Sequence, residues 1–314
     1  MAQKVILVAD PGIDTAFAVA LAFLEPKLDV LALAATAGNV KALQATTNVH
    51  TLVAQLDPPR WPRLGAAPPV EYEIDGTRLH GADGLGNADL PAVSLHSPPN
   101  SDRLVVELVR QYPKEVTVVC LGPLTVIASA FSRDSSIITQ LDRLVCVGGC
   151  WREAGNVGPL TEFHFACDPT AARFVLKSGA AITLLPLDVT RKLVFSPTDL
   201  LELPAPESKT SIFLRQIVPF GIRASSNIYG MEGFYLKDVL GIAALALPKA
   251  VTTQPMHVDV ETRGELTRGM SVVDSRRERT QKPNVDLATG VDVVAVRDYI
   301  FQSLRRGGDD ESAI

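Results

Sequence analysis

Apolar and polar positions follow a repeated rhythm along the chain. Short runs rich in β-branched residues end in small or polar residues, and stretches with apolar positions at helical spacing lie between them. The runs predict strands over residues 4–9, 29–36, 115–121, 144–148 and 181–187. The stretches between them predict helices over residues 15–24, 40–56, 124–131 and 169–177. Two further strands at 257–262 and 270–273 and a closing helix at 292–305 are predicted near the C-terminus.

This order of elements predicts an α/β fold. Strands that alternate with helices form a mostly parallel sheet, because the chain crosses a face of the sheet between parallel strands. We therefore expect a Rossmann-like open sheet with helices on both faces. With neither an internal repeat nor a clear linker, a single domain is expected over residues 1–306, followed by a flexible tail at 307–314. Long Pro- and Gly-rich stretches at 58–69, 83–100 and 203–207 are expected to be lids, binding loops or insertions.

Composition narrows the classes of protein that fit this fold. The chain has 314 residues, 46% of them hydrophobic, and a formal net charge of −5. That is enough for a large core, and the lack of a basic excess disfavours nucleic acid as a partner. The apolar runs are shorter than the roughly 18 residues of a membrane span, and the run after Lys4 is too brief for a signal peptide. We expect a cytoplasmic protein without a membrane partner.

The cysteines are interpreted as structural. Each of the four lies in or beside an apolar stretch, so we expect reduced thiols in the core: Cys120, Cys146, Cys150 and Cys167. Cys146 and Cys150 are four residues apart, which suggests a metal clip as the alternative. A second pair of Cys or His ligands is missing from the sequence nearby, so the structural interpretation is favoured.

Polar residues cluster directly after the predicted strands, and ligands of parallel α/β sheets bind at the carboxyl ends of strands. The first strand runs into Asp10 and Asp14, which flank a Pro-Gly turn, and the second runs into Asn39. Two carboxylates so close together repel each other, and a cation or a polyol substrate would relieve the repulsion. Spacing alone leaves a second interpretation equally open, in which Asp14 caps the next helix and Asp10 forms a turn.

Short motifs along the chain resemble those of one enzyme family. Residues 5–16 read VILVADPGIDTA, and the family signature reads Asp-x-Asp-Pro-Gly-x-Asp-Asp-Ala. Further motifs follow in the family's order: TAGN at 36–39, LHGADGLG at 79–86, LGPLT at 121–125, VGG at 147–149, GN at 155–156, TEFH at 161–164, CDP at 167–169, LDVT at 187–190 and KD at 237–238. Over most of its length the chain is therefore similar to the inosine-uridine nucleoside N-ribohydrolases.

The resemblance implies the nucleoside hydrolase fold and calcium-dependent cleavage of the bond between ribose and base. Matched residue by residue, it implies calcium ligation by Asp10, Asp238 and the carbonyl of Leu121, with Asp10 as the general base that activates a water. Contacts with the ribose are implied for Asp14, Asn39, Asn156, Glu162 and His164. A homodimer or homotetramer is implied as well.

Four positions depart from the family pattern. Val8 and Thr15 replace aspartates, and His164 replaces an asparagine that touches the ribose. Because Thr15 is neutral, we expect calcium binding to be weakened or lost. Lys237 replaces a histidine often cast as the acid for the leaving group. It either neutralises the carboxylates in place of the metal or faces the leaving group, as an acid or as the partner of an anionic substrate.

Two functions of different classes follow from these residues. The first is a hydrolase that acts on a ribonucleoside or a modified nucleoside, with His80 as a further candidate acid or pocket residue unless it lies on a mobile surface loop. Four aromatic side chains either stack the base or pack the core: Phe220, Tyr229, Phe234 and Tyr235. The alternative is a pseudoenzyme that binds a ribosyl compound without turnover. A dehydrogenase is disfavoured because Gly148 and Gly149 lack the three-glycine spacing of dinucleotide-binding turns.

Overall fold

The computed structural model describes residues 2–91, 93, 97–204, 208–278 and 280–311, with side chains described as far as Gly307. The strands, in chain order, are β1 (Gln3–Ala9), β2 (Leu28–Ala35), β3 (Arg63–Gly65), β4 (Val116–Leu121), β5 (Arg143–Val147), β6 (Ile182–Leu185), β7 (Val194–Phe195), β8 (Phe234–Tyr235), β9 (Val251–Val260), β10 (Ser271–Asp274) and β11 (Val285–Val291). The helices are α1 (Ile13–Leu24), α2 (Ala42–Leu56), α3 (Thr77–His80), α4 (Ser101–Gln111), α5 (Thr125–Arg133), α6 (Ile137–Gln140), α7 (Phe163–Cys167), α8 (Pro169–Leu176), α9 (Leu187–Thr190), α10 (Pro197–Glu202), α11 (Lys209–Tyr229), α12 (Val239–Ala246) and α13 (Val293–Glu311).

Nine strands form one sheet in the order β10-β9-β11-β6-β5-β4-β1-β2-β3. The run from β11 to β3 is parallel throughout, and β9 and β10 extend it as antiparallel strands at one edge. From β1 the chain builds outward through β2 and β3, then returns to build β4, β5 and β6 on the other side of β1. This reversal between β1 and β4 is the place where open α/β sheets bind ligands.

Side chains of β1 alternate between two cores, one on each face of the sheet. Val5, Leu7 and Ala9 pack with apolar residues of α1, α2, α11, α12 and α13. Ile6 and Val8 pack with apolar residues of α4, α5 and α8. A strand covered on both faces needs an almost unbroken apolar sequence, which the segment from Val5 to Ala9 supplies. The expected α/β fold, with a mostly parallel sheet between helical layers, is confirmed.

Several elements differ from the sequence prediction. The strand expected at 257–262 begins earlier, at Val251, and β11 was not predicted at all, nor were α4 and α12. Helix α13 extends to Glu311, so the segment from Gly307 to Glu311, predicted to be part of a tail, is helical. Residues 312–314 lie outside the described residues, and the flexible tail stays a prediction. Parts of two expected loops, residues 92, 94–96 and 205–207, also lie outside them.

The cysteines agree with what the sequence led us to expect. The four cysteines are free and buried, and the Cys150 thiol lies 3.2 Å from the carbonyl of Leu160, within reach of a hydrogen bond. Among the residues that the structure describes, no helix is both long and apolar enough to cross a membrane.

Candidate active site

Asp10 follows β1 directly and is completely buried. Its Oδ2 accepts a hydrogen bond from the main-chain N–H of Asn39 at 3.1 Å, and Asn39 Nδ2 donates to the Asp10 carbonyl at 2.8 Å. The approach of the two strand ends is so close that a Cβ on Gly38 would lie 2.0 Å from Asp10 Oδ2. Glycine at this position therefore lets the turn after β2 hold one oxygen of the Asp10 carboxylate in place.

Two further carboxylates come from helix N-termini. Asp14 lies in the first turn of α1, and Asp238 is the residue directly before α12. Thr15 Oγ1 donates to Asp238 Oδ2 at 2.6 Å, which joins the N-termini of the two packed helices. Because the N-terminus of a helix carries partial positive charge, both positions favour a carboxylate over a neutral side chain.

One oxygen of each of these carboxylates is buried without a hydrogen-bond partner among the described residues: Asp10 Oδ1, Asp14 Oδ1 and Asp238 Oδ1. Burial, reinforced by the charges of Asp238 and Asp14, raises the pKa of Asp10 well above its ordinary value. Burial and the charge of Asp14 likewise raise the pKa of Asp238. Buried polar atoms are normally paired, so three unpaired oxygens at one end of the sheet indicate a place where a ligand supplies donors or positive charge.

The loop after β5 adds a fourth carboxylate whose orientation is fixed. Glu162 Oε2 accepts from the main-chain N–H groups of Gly149 at 3.0 Å and Phe165 at 3.2 Å, so the side chain caps α7. Asn156 Oδ1 accepts from the N–H of Phe163 at 2.8 Å. Gly149 has a φ of +77°, a backbone conformation that residues other than glycine rarely adopt. The TEFH and VGG motifs thus form one turn that holds Glu162 and Asn156 together.

His164 lies between two acidic groups of the site. Its Nδ1 is 2.8 Å from the carbonyl of Val147, and because a carbonyl only accepts, Nδ1 carries the proton. The other ring nitrogen, Nε2, lies 3.7 Å from Asp10 Oδ2, and Nδ1 lies 3.9 Å from Glu162 Oε1. His164 is therefore placed beside the general-base candidate.

His80 is buried in α3 and does not lie on the surface. Its Nδ1 accepts a hydrogen bond from the N–H of Ile13 at 3.1 Å and lies 3.9 Å from Asp14 Oδ1. Burial lowers the pKa of His80 to about 4. The imidazole is thus neutral near pH 7, with its remaining proton on Nε2, and it serves as a hydrogen-bond partner for the start of α1.

A cavity of about 540 Å³ opens above this region. Asn39, His80, Asn156 and Lys237 line it together with Tyr229. The ion pairs of the site join histidines to carboxylates, and none within the described ranges involves Lys237. Burial lowers the pKa of Lys237, but the charges of Asp14, Glu162 and Asp238 outweigh that effect and raise it above the ordinary lysine value. Lys237 is therefore a cation at the cavity wall.

The structure brings the predicted site residues to one end of the sheet, and their chemical roles stay predictions. Leu121 ends β4 in register with Ala9, beside Asp10. Of the predicted aromatic side chains, Tyr229 and Tyr235 line the cavity or its adjoining pocket. Phe234 lines that pocket too but packs on Phe17 and Phe195, and Phe220 packs on the core.

Sequence reasoning missed two cations and one tyrosine near the site. Arg78 lines the main cavity and Arg191 the adjoining pocket. Each stands next to a recognised motif, LHGADGLG or LDVT, and that adjacency was the available signal. The hydroxyl of Tyr72 lies 2.7 Å from Thr125 Oγ1, which in turn donates to Asp168 Oδ2 at 2.7 Å. Tyr72 belongs to none of the motifs, so the sequence carried no signal for it.

Comparisons with known proteins agree with this geometry. The sequence profile described as inosine-uridine preferring nucleoside hydrolase matches residues 5–298. The chain belongs to this family. It is 34% identical over 315 residues to uridine nucleosidase 1 of Arabidopsis thaliana, covering 97% of this chain and 94% of the relative. It is 35% identical over 311 residues to the pyrimidine-specific ribonucleoside hydrolase RihA of a Shewanella species, covering 97% and 96%.

Solved structures place this nucleoside hydrolase in the same fold. A plant nucleoside hydrolase superposes with a TM-score of 0.90 at 28% identity, covering 97% of this chain and 99% of the plant chain. The resemblance identified from the motifs is therefore confirmed. Membership of the family makes the chain an enzyme of the nucleoside N-ribohydrolase class, and the same membership supports a nucleoside as its substrate.

Proposed function

We propose that this nucleoside hydrolase cleaves the N-glycosidic bond of a ribonucleoside, or of a modified nucleoside, by attack of a water that a carboxylate activates. The observation that carries the proposal is the set of three unpartnered carboxylate oxygens of Asp10, Asp14 and Asp238. A ribose offers several hydroxyl donors on one face, and each of these oxygens can accept one. Hydroxyl groups of a sugar would therefore satisfy oxygens that the protein itself leaves unsatisfied.

Asp10 is suited to act as the general base. Its Oδ2 is occupied by the N–H of Asn39, so Oδ1 is the oxygen free to take a proton from water. A raised pKa makes the ionised carboxylate a stronger base, and general bases work best when their pKa lies near the working pH. His164 Nε2 lies 3.7 Å from Oδ2, so this ring is a close neighbour of the carboxylate without a hydrogen bond to it.

The remaining carboxylates suit the charge that develops on the sugar. Cleavage of a ribosyl C–N bond gives the sugar oxocarbenium character, so fixed negative charge nearby stabilises the transition state. Glu162 is held by two main-chain N–H groups and needs no reorganisation to act in this way. Asp14, whose Oδ1 is unpartnered, adds a second negative charge beside the ribose position.

The donor set fits calcium in part. Carboxylate and carbonyl oxygens are the ligands that calcium prefers, and the Asp10 carboxylate, Asp238 Oδ1 and the carbonyl of Leu121 would hold it. Across the described residues, however, no three His, Cys, Asp or Glu side chains are grouped closely enough to hold a metal by themselves. The residues therefore fit a weakly held ion that substrate and water oxygens help to bind. Such an ion would lower the pKa of water.

Lys237 and His80 face the position of the base. The ammonium of Lys237 stabilises negative charge that develops on the leaving base. His80, neutral near pH 7, offers its Nε2–H as a donor rather than a freely transferable proton. By resemblance to the family, we also propose a cytoplasmic homodimer or homotetramer, which light scattering of the purified protein and fractionation of the source cells test.

One measurement, the release of free base, distinguishes the hydrolase from the pseudoenzyme. Purified protein is incubated with uridine, inosine, cytidine and guanosine, with millimolar calcium and with a chelator, and free base is quantified by chromatography. We expect release from at least one nucleoside, faster with calcium than with the chelator. Thermal stabilisation by the nucleosides without release of any base would support the pseudoenzyme instead.

A further inference from the structure

Two cations at the cavity wall have no ion-pair partner among the described residues. One is Lys237, half-buried, and the other is Arg78, exposed on α3. Asp75, the acidic residue that also lines this cavity, accepts hydrogen bonds from the N–H and hydroxyl of Thr77 instead. The charge of the two cations is therefore available to a ligand.

The third cation near the cavity is already engaged. Arg191 donates to the carbonyls of Ala154 at 2.6 Å and Gly155 at 2.8 Å, and it lies 3.8 Å from Glu153. It stabilises the loop before Asn156 and leaves Lys237 and Arg78 as the cations free to contact a ligand.

Charge is separated along the depth of the site. The buried end carries Asp10, Asp14, Asp238 and Glu162, which suit a ribose with its many hydroxyl donors. The cavity that opens above these carboxylates, here called the outer end, is lined by Lys237 and Arg78 together with Tyr229. An aromatic ring offers a stacking surface for a base, so the outer end is the place for the base rather than for the sugar.

Lys237 forms no direct ion pair with the carboxylates of the described residues, although the charges of Asp14, Glu162 and Asp238 raise its pKa. Its ammonium lies farther than ion-pair distance, 4.0 Å, from the carboxylate oxygens of the described residues, whereas histidines of the site approach within 3.7 to 3.9 Å. Of the two positions that the sequence left open for Lys237, the missing ion pair and its place in the cavity lining favour the one that faces the leaving group.

We propose that the preferred substrate is a ribonucleoside whose base carries a negative charge, such as a carboxylate substituent, and that Lys237 and Arg78 bind this charge. The proposal rests on the proposed hydrolysis and adds the class of substrate. A charge-assisted hydrogen bond from a lysine or arginine to a carboxylate is stronger than a hydrogen bond between neutral groups, so the negative group both orients the base and selects it.

Hydrolysis of three compounds tests the proposal: uridine, 5-carboxyuridine and uridine 5′-monophosphate. We expect kcat/KM for 5-carboxyuridine to exceed that for uridine by about 10- to 100-fold. In Lys237→Met this ratio falls towards one, and in Arg78→Gln it falls by a smaller factor. Lys192→Met is the matched control, because Lys192 is exposed and lies outside this cavity, and it leaves the ratio unchanged.

Three results would overturn the proposal: a ratio of one or less in the unmodified protein, a ratio that Lys237→Met leaves unchanged, or a preference for uridine 5′-monophosphate, which would put the anion at the other end of the nucleoside. If no compound releases a base, the proposed hydrolysis fails, and calorimetric binding decides this proposal separately. Tenfold tighter binding of 5-carboxyuridine than of uridine supports it, and equal binding overturns it. Arg78→Gln, at an exposed position, keeps the test valid if Lys237→Met does not fold.

Discussion

Two regions of this nucleoside hydrolase bury carboxylates in opposite ways. At the carboxyl end of the sheet, Asp10 leaves one oxygen unpartnered, and burial with neighbouring negative charge raises its pKa. At the start of α10, Asp199 is as deeply buried, but its Oδ2 accepts from the N–H of Ser196 at 2.7 Å and from Arg297 at 3.1 Å, while Oδ1 pairs with Arg297 as well. Burial raises the pKa of Asp199, but the bonds from Arg297 and Ser196 outweigh it and the pKa is lowered.

The difference distinguishes a carboxylate that stabilises the fold from carboxylates that stay available to a ligand. Asp199 completes a capping box and ties α10 to α13, so its charge stabilises the fold. Asp10 and Asp238, whose pKa values are raised by burial, lower stability when they ionise, and each retains one unpartnered oxygen for a ligand. Residues kept in an unfavourable state while the rest of the fold compensates are typical of functional sites.

The largest expected effect is on catalysis, from Asp10→Asn. Loss of the general base should lower kcat/KM by about 10²- to 10⁴-fold. The amide still accepts from the N–H of Asn39 and removes a buried charge, so we expect stability unchanged or raised by about 1 kcal/mol. Base-release kinetics and urea unfolding measure both quantities. A variant that lost activity because it unfolded more easily would contradict the contrast between the two regions.

Asp199→Ala should show the opposite behaviour. It removes the capping box and leaves Arg297 without its partner, so we expect a loss of about 2 kcal/mol in the free energy of unfolding. Activity per folded molecule should be unchanged, because Asp199 does not line the cavity. Asp29→Ala, which breaks the exposed pair with Arg60, is the control and should cost less than 1 kcal/mol. Equal losses in the two variants would show that the burial of Asp199 carries no extra stability.

Thr15→Asp should strengthen calcium binding by about tenfold, because it adds a carboxylate beside Asp238. Without calcium the same variant should melt at a lower temperature than the unmodified protein, since the new charge is buried next to another. Calorimetric titration with calcium and melting curves with a chelator measure the two effects. Thr15→Asn, of similar size but neutral, is the control. Calcium binding as tight in the Asn variant as in the Asp variant would exclude charge as the cause.

The smallest expected effect is the pH dependence of the free energy of unfolding in these two variants, Asp199→Ala and Asp10→Asn. Because the pKa of Asp199 is lowered on folding, the destabilisation by Asp199→Ala should be complete above pH 3.8 and fade as the pH falls through the folded pKa. Because the pKa of Asp10 is raised on folding, any gain in Asp10→Asn should be absent below pH 3.8 and grow as the pH rises towards the folded pKa. Urea unfolding at pH 3 and pH 7 checks both. A gain in Asp10→Asn that persists at pH 3, or a loss in Asp199→Ala that does not diminish between pH 7 and pH 3, would contradict these origins.

The elements that the sequence predicted best are those with the strongest local pattern. β1, β2 and α1 are almost entirely apolar or regularly amphipathic, and their observed bounds lie within two residues of the predicted ones. β11 was missed because its sequence, VDLATGV, contains a glycine and has a polar residue near its start. Its place in the sheet depends on pairing with β6 and β9, which no local pattern shows.

The alternation of strands and helices, the family and the identity of the polar residues at the strand ends follow from the sequence alone, because period and motif are local properties. The burial, hydrogen bonds and charged neighbours of those residues depend on the folded chain. Thr15 hydrogen-bonds to Asp238, which is 223 residues away in the sequence, and Asp199 pairs with Arg297, which is 98 residues away. Whether a buried carboxylate finds a partner, and whether Lys237 faces the carboxylates or the base, depends on burial and on neighbours from distant segments. The same residue type therefore stabilises the fold in one region and stays free for a ligand in the other.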